Sequence, residues 1–141
     1  MTVPTNQRRV PAQRAVLRSA GALLAGLVAV VVLSSAADLA FEALAVFPPP
    51  ERFGAFTTAN YLLALSYRAA FNIFGCWLAA RLAPNRPMRH ALILGAIGFV
   101  LASLGLVVMW SVGDHWYPIA LVVSAFPCAW IGGKLHRPGA V

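Results

Sequence analysis

The chain has 141 residues, of which 60% are hydrophobic and 11% are charged, and its mean hydropathy is +0.76. Soluble domains carry roughly 25% charged residues, and a water-soluble fold of this size could not bury so much apolar surface. The composition therefore excludes an ordinary soluble domain. The net charge of +7 can be interpreted only from the positions of the basic residues relative to the predicted helices.

Long runs without a charged residue predict membrane-spanning segments at 20–37, 91–113 and 116–133. Each reaches or approaches the ~20 residues that cross a hydrocarbon layer about 30 Å thick. A fourth run, about 59–80, has the right length and is interrupted by Arg68. Lipid offers the backbone no hydrogen-bond partner, so such segments must be helices. We predict an all-α fold, an up-down four-helix transmembrane bundle in a lipid bilayer.

The helices are predicted to form a single domain over residues 16–137, between a basic N-terminal segment, 1–15, and a short tail, 138–141. Their expected bounds are about 16–47, 57–83, 88–111 and 116–134. Prolines at 48–50 and 84–87 end the first two helices, since proline cannot continue a helix. Because the connections are short, consecutive helices are expected to be antiparallel.

The N-terminal region allows one alternative. Four arginines, an apolar stretch and the small residues at 34–37 could together form a cleavable signal peptide. The apolar stretch is longer than the roughly 7–15 residues of such a signal, and the later segments span as well. We therefore expect this region to be retained as the first helix.

The basic residues predict the orientation. Nine of the eleven flank helix ends on one side: Arg8, Arg9, Arg14, Arg18, Arg81, Arg86, Arg89, Lys134 and Arg137. Such residues concentrate on the cytoplasmic side, so both termini and the 81–90 loop are predicted to be cytoplasmic. All the carboxylates fall on the other side: Asp38, Glu42, Glu51 and Asp114. We interpret the basic charge as an orientation signal near anionic lipid head groups and expect no nucleic-acid partner.

Small residues in the third helix predict a close packing seam. They follow a 4-3-4-3 spacing that aligns them on one face: Ala91, Gly95, Gly98, Ala102 and Gly105. Such seams let helix backbones approach closely in lipid. We expect this seam to pack within the chain, with a homo-oligomer or a membrane-protein partner as the alternative. Gly98→Leu is then expected to weaken the packing.

Arg68 is the strongest single feature of the sequence. It lies thirteen residues before Arg81, hence about 20 Å into a core about 30 Å thick. A bare arginine there costs at least ~2.5–3.5 kcal/mol, so it needs a partner or a wet cavity. Asp38 lies about 10 Å further along the membrane normal, but side chains lean toward the N-terminus of their own helix. Because the two helices run in opposite directions, we predict an Arg68–Asp38 ion pair.

Arg68 and Asp38 belong to a candidate binding site, which three further residues complete. Glu42 shares a helix face with Asp38 and is the reserve partner of Arg68. Tyr61 and Asn72 lie on the same face of the second helix as Arg68, so that face is predicted to be a polar interior stripe. One hypothesis is a structural ion pair with Asn72 as its hydrogen-bonding neighbour. The other is a solute or anion pathway that uses Arg68.

No catalytic, cofactor or metal site is predicted. Cys76 and Cys128 have no CxxC spacing and no neighbouring histidine, and we interpret them as small packing residues. The histidines, at 90, 115 and 136, lie at different helix ends, which favours solvated side chains over a haem or metal site. No nucleophile motif, Gly-rich phosphate loop or catalytic carboxylate pair is present in the sequence, so we expect no enzyme.

An ordered set of motifs runs through the chain. It consists of Ala45-Val46-Phe47-Pro48-Pro49, Tyr67-Arg68, the segment from Arg81 to Met88, Trp116-Tyr117-Pro118 and the segment from Pro127 to Lys134. Together the motifs resemble a group of small, uncharacterised bacterial four-helix inner-membrane proteins, over nearly the whole chain after about residue 16. The resemblance implies a bacterial cytoplasmic membrane and a four-helix topology, and it supplies no activity.

The sequence leaves three hypotheses for function. The first is a non-enzymatic integral membrane protein with a structural or partner-assembly role. The second is a small transporter or channel with a pathway near Arg68, and the third is a membrane enzyme. A transporter should keep Arg68 accessible from one side of the membrane, whereas a structural protein should keep it dry and paired.

Overall fold

A computed structural model describes residues 12–137 and contains four α-helices. They are α1 (Ala12–Ala43), α2 (Thr58–Leu82), α3 (Pro87–Val108) and α4 (Trp116–Leu135). Each is long and apolar enough to cross a membrane, so the prediction of an all-α fold with four such helices is confirmed. The predicted N-terminal segment up to residue 11 and the predicted tail at 138–141 lie outside the described residues.

The helices form a bundle in which α2 is central. It packs against each of the other helices, most extensively against α1 and α4, while α3 packs closely on α4. Within residues 12–137, no Cα atom of α1 lies within 8 Å of a Cα atom of α4. Short connections predict the antiparallel pairs α1–α2, α2–α3 and α3–α4, but not the close packing of α2 with α4. Because α1 packs mainly against α2, the contacts between these two helices determine the position of α1 in the bundle.

The two ends of the bundle differ in charge. The start of α1, the end of α4 and the turn at 83–86 form what we call the termini end. The α1–α2 connection at 44–57 and the turn at 109–115 form the connection end. Basic residues that flank the helices lie at the termini end: Arg14, Arg18, Arg81, Arg86, Arg89, Lys134 and Arg137. The carboxylates lie in the last two turns of α1 or in the segments of the connection end.

The first helix ends earlier than predicted, at Ala43 instead of about residue 47. Ala45 adopts a left-handed conformation with a φ of 56°. The backbone N–H groups of Ala45 and Val46 donate to the carbonyls of Glu42 and Phe41. This is the hydrogen-bond pattern of a Schellman cap, which usually has glycine at the left-handed position. The sequence has no glycine there, so the prediction extended the helix to the first proline.

The connection between α1 and α2 is tied to the bundle by hydrogen bonds. Pro50–Ala55 forms a 3-10 helical turn, and Thr57 and Asn60 form a capping box at the start of α2. The Asn60 side chain also donates to the Val46 carbonyl, with Nδ2 2.8 Å from the oxygen. This bond joins the first turn of α2 to the segment that follows α1.

The half of the bundle nearer the termini end, which we call the closed half, is packed through glycines and alanines. A Cβ at Gly26 of α1 would lie 2.6 Å from the carbonyl oxygen of Gly75 in α2. A Cβ at Gly132 of α4 would lie 2.6 Å from the carbonyl oxygen of Ile73. Such close backbone approach supplies the van der Waals contacts that hold helices together in lipid. The buried side chains of this half are mostly small: Cys76, Ala79, Ala80, Ala91, Leu94 and Ala129.

The seam predicted along α3 is a close contact over only part of its length. Ala91 and Gly95 are buried, and a Cβ at Gly95 would overlap the Ala129 side chain. At Gly98 and Gly105 a Cβ would meet nothing within 4 Å, so the prediction of a close contact at Gly98 is wrong. The spacing aligns residues on one face, but it does not specify how far along that face the neighbouring helix stays close.

Alanine substitutions at Gly132 and Gly98 should distinguish a close helix contact from open space. Gly132→Ala places a methyl group against the α2 backbone and should destabilise the protein by about 1–3 kcal/mol. Gly98→Ala, the matched control, adds a methyl group in open space and should be neutral or stabilising by up to about 1 kcal/mol, since alanine favours a helix. Thermal unfolding of both variants in one detergent measures the effects. An equal loss at the two positions would contradict the packing described.

Candidate functional site

The ion pair predicted from the sequence is present between α1 and α2. Arg68 lies in the middle of α2, and Asp38 lies in the last two turns of α1. Because the helices are antiparallel, the two side chains meet between them. Arg68 Nη2 lies 2.6 Å from Asp38 Oδ2 and donates a hydrogen bond to it.

A third group, Tyr67, completes the ion pair. Its hydroxyl donates to Asp38 Oδ1, so both carboxylate oxygens of Asp38 accept a hydrogen bond. The Tyr67 ring packs against Phe41, with ring centroids 5.5 Å apart, and against Phe47 at 6.4 Å. Sequence reasoning missed the role of Tyr67, although a phenol directly beside the charged residue of an apolar helix is a usable signal.

The ion pair is not sealed from its surroundings. The Arg68 side chain is 36% exposed and that of Asp38 is 32% exposed. Arg68 Nε is buried and has no hydrogen-bond partner among the described residues, and an unsatisfied donor of this kind costs about 1–3 kcal/mol. Where the exposed part meets water, the attraction between the charges is weaker than in a dry interior. The arrangement is therefore an ion pair in a cavity wall.

A cavity of about 280 Å³ lies at the connection end, and we call it the vestibule. Its charged lining residues are Asp38, Glu42 and Arg68. Its aromatic wall consists of Phe47, Phe56, Tyr61, Tyr67 and Tyr117. These rings pack on one another: the ring centroids of Tyr61 and Tyr117 are 4.9 Å apart, and those of Tyr61 and Phe56 are 5.4 Å apart. The aromatic wall is thus a continuous set of packed rings.

A second cavity of about 230 Å³, the central cavity, lies between the vestibule and the closed half and is lined by all four helices. Two of its lining residues, Val31 and Leu101, are 54% and 50% exposed, so it opens to the surface of the bundle. Its polar lining includes Ser34, Asn72 and Ser124. Arg68 and Leu121 line both the central cavity and the vestibule. The two cavities therefore meet at these side chains.

The closed half lies beyond the central cavity. Leu94 lines this cavity and is 3% exposed. Behind it, Cys76, Ala79 and Ala129 are 0% exposed. From the connection end to the termini end, the bundle therefore consists of the vestibule, Arg68, the central cavity and the closed half, in that order.

The structure brings most of the predicted site residues to the vestibule: Arg68, Asp38, Glu42 and Tyr61 all line it. Asn72 lines the central cavity instead, and its side-chain oxygen accepts from the Cys76 thiol, with Sγ and Oδ1 3.7 Å apart. Within residues 12–137, the Glu42 carboxylate has no ion pair and no hydrogen bond. Its predicted role as the reserve partner is not used, because Arg68 already binds Asp38.

Among residues 12–137, no three His, Cys, Asp or Glu side chains cluster where they could hold a metal ion. Cys76 and Cys128 are free thiols, and both are buried. His90 is 5% exposed, and its Nδ1 lies 3.3 Å from the Arg86 carbonyl oxygen. The prediction of a solvated side chain is therefore wrong for His90, because the side chain turns back onto the first turn of α3.

Comparisons with known proteins give no relative from which a function could be transferred. The chain matches no protein-family model, no curated protein and no solved structure. Function must therefore be inferred from the chemistry and geometry of the two cavities around Arg68.

The ion pair predicts that mutations of its two members are not additive. Asp38→Asn leaves Arg68, the deeper of the two charges, without its partner, so it should destabilise the protein more than Arg68→Leu does. The double variant should recover part of the loss, because removing both members of a pair is less costly than removing one. We expect a coupling of about 1 kcal/mol from a double-mutant cycle on thermal stability.

The control for this cycle is a second pair of charges. Glu51 and Arg52 are exposed residues of the connection, and the cycle Glu51→Gln with Arg52→Leu should show no coupling. Strictly additive losses at Asp38 and Arg68 would mean that their contact does not stabilise the fold.

Proposed function

We propose that the chain is a multi-pass protein of the bacterial cytoplasmic (inner) membrane with both termini in the cytoplasm. The motif resemblance supports the bacterial membrane, and the basic termini end supports the orientation. Two cation–π pairs suit a membrane–water interface at that end. The Arg81 guanidinium carbon lies 5.2 Å from the ring centroid of Trp77, and Lys134 Nζ lies 4.3 Å from that of Trp130. The connection end then faces the periplasm.

We further propose that the protein is not an enzyme and that it binds a solute in the vestibule, as a small transporter or channel does. One observation carries this proposal: Arg68 lies between two cavities, while the half of the bundle beyond them is closed. A charged group inside a membrane usually faces a water-filled cavity on a solute pathway or is fully paired. Access from one side is what the transport hypothesis requires of Arg68.

A structural or partner-assembly role is the second candidate, and the ion pair favours it. Both carboxylate oxygens of Asp38 are engaged, so the pair could serve α1–α2 packing alone. A purely structural pair gains nothing from adjacent cavities, however, because empty space forfeits packing contacts. The small-residue face of α3, for which a partner was the alternative to packing within the chain, also lines the central cavity, at Gly98 and Ala102. We therefore place solute binding first.

Transport would require the closed half to open. The contact between Gly26 and Gly75 closes the α1–α2 interface there. Since α1 is held mainly by α2, a movement between these two helices is the simplest way to open a path. The Arg68–Asp38 pair joins the same two helices. We propose that a bound solute acts on this pair to change the α1–α2 contact.

Reporter fusions should place the turn after α2 in the cytoplasm, because basic residues flank it on both sides. A fusion of green fluorescent protein after Asn85 should fluoresce, and a fusion of alkaline phosphatase there should be inactive. Fusions after Gly54, in the connection, should give the reverse result. Phosphatase activity after Asn85 would overturn the orientation.

The vestibule should admit a water-soluble reagent from the periplasm. In a chain with Cys76 and Cys128 replaced by alanine, Leu121→Cys places a thiol on the wall that both cavities share. A membrane-impermeant methanethiosulfonate should label this thiol in spheroplasts. Leu23→Cys is the matched control and should stay unlabelled, because Leu23 is also partly buried but packs against the closed half.

Two results of the labelling experiment would contradict this proposal, the first the binding of a solute and the second the closure of the bundle beyond the central cavity. If neither thiol reacts, the region of Leu121 is dry and the structural role becomes the better proposal. If both thiols react equally, the closed half is open, and a pathway that ends at the central cavity is wrong.

A further inference from the structure

We infer that the ligand of the vestibule is an organic cation, held by the Glu42 carboxylate against the aromatic wall. This inference rests on the proposed solute-binding function, and it gives the ligand a charge and a chemical class.

The charged residues of the vestibule determine whether its ligand should carry a positive or a negative charge. Arg68 and Asp38 neutralise each other as an ion pair. Glu42 lines the same cavity, and its carboxylate has no ion pair or hydrogen bond within residues 12–137. The residue is partly buried. A cation is the ligand that would compensate this charge.

An anion would bind Arg68, whose donors are in part engaged or buried. Its Nη2 donates to Asp38, and its Nε is buried. At the remaining donors, an anion would lie beside the Asp38 carboxylate, which Tyr67 also holds, and in the same cavity as the negative charge of Glu42. The pairing therefore disfavours the anion pathway that the sequence left open.

The aromatic wall favours an organic cation over a metal ion. The face of an aromatic ring attracts cations, and cages of such rings recognise quaternary ammonium groups. Ca²⁺ instead takes about 6–8 oxygen ligands, whereas both carboxylate oxygens of Asp38 already accept hydrogen bonds. Met109 and Leu121 add apolar surface to the same cavity. A quaternary ammonium group with an apolar body matches this combination of one carboxylate, several rings and aliphatic side chains.

The charge of the connection end also favours a cation as it approaches. Glu51 and Asp114 lie in the segments of this end, outside the vestibule lining, and Arg52 is the basic residue beside them. An excess of carboxylates around a cavity raises the local concentration of cations. In the proposed orientation, the ligand would therefore come from the periplasm.

Binding of benzyltrimethylammonium to the full chain in lipid nanodiscs, measured by calorimetry, tests the inference. We expect the parent and Glu51→Gln to bind it equally, because Glu51 is a carboxylate of the same connection that does not line the vestibule. Glu42→Gln should weaken binding by about tenfold or more, as expected for loss of a charged contact. Glu42→Asp should restore part of the affinity. Benzenesulfonate, a similar ring with the opposite charge, should not bind.

Several outcomes would overturn the inference, and they differ in what they mean for the proposed function. If the protein binds benzenesulfonate more tightly than benzyltrimethylammonium, the inference of a cation at Glu42 is rejected, but solute binding is not. The same holds if Glu42→Gln and Glu51→Gln bind benzyltrimethylammonium equally. If the cation does not bind the parent, the inference fails, and labelling of Leu121→Cys then decides whether solute binding fails with it. Thermal unfolding of each variant excludes misfolding as the cause. If Glu42→Gln does not fold, Tyr61→Leu removes a ring of the aromatic wall and should also weaken cation binding; unchanged affinity in that variant would overturn the inference.

Discussion

An arginine in the middle of an apolar helix is the constraint on which the rest of this protein depends. In the hydrocarbon core of a membrane, an unpaired arginine costs at least ~2.5–3.5 kcal/mol. The chain lowers this cost with Asp38, whose Oδ2 lies 2.6 Å from Arg68 Nη2, and with Tyr67, which holds the other oxygen of Asp38. Because α1 is held mainly by α2, the same contact fixes the position of the first helix. A local electrostatic requirement thereby determines how two helices pack.

The size of the side chains explains why one half of the bundle is closed and the other contains cavities. In the closed half, glycine and alanine let the backbones of α1, α2 and α4 approach one another closely. At the connection end, larger side chains such as Phe47, Tyr61 and Tyr117 form the buried cluster instead. The central cavity lies between these regions, where Ser34 and Gly98 are too small to fill the space. The cavities therefore follow from a change in residue size along the helices.

Much of this arrangement could be predicted from the sequence, because depth and helix face can be calculated for each helix by itself. The helical rise gives the depth of Arg68 and Asp38, and the antiparallel directions bring their side chains together. Distances between helices depend on the residues of both partners, so the open space at Gly98 could not be predicted. The end of α1 was missed because Ala45 takes a conformation that usually marks a glycine. Tyr67 was missed because its ring reaches Asp38 from a position next to the predicted stripe.

The central claim is that accessible space extends from the connection end as far as Arg68 and stops at the closed half. Transfer of magnetisation from water to methyl groups, measured by NMR on the unmodified chain in lipid nanodiscs, tests it most directly. The account predicts water contact for the methyl groups of Leu121, which lines both cavities. It predicts none for those of Ala79 and Ala129, which are 0% exposed. Water contact at the two alanines, or none at Leu121, would contradict the account.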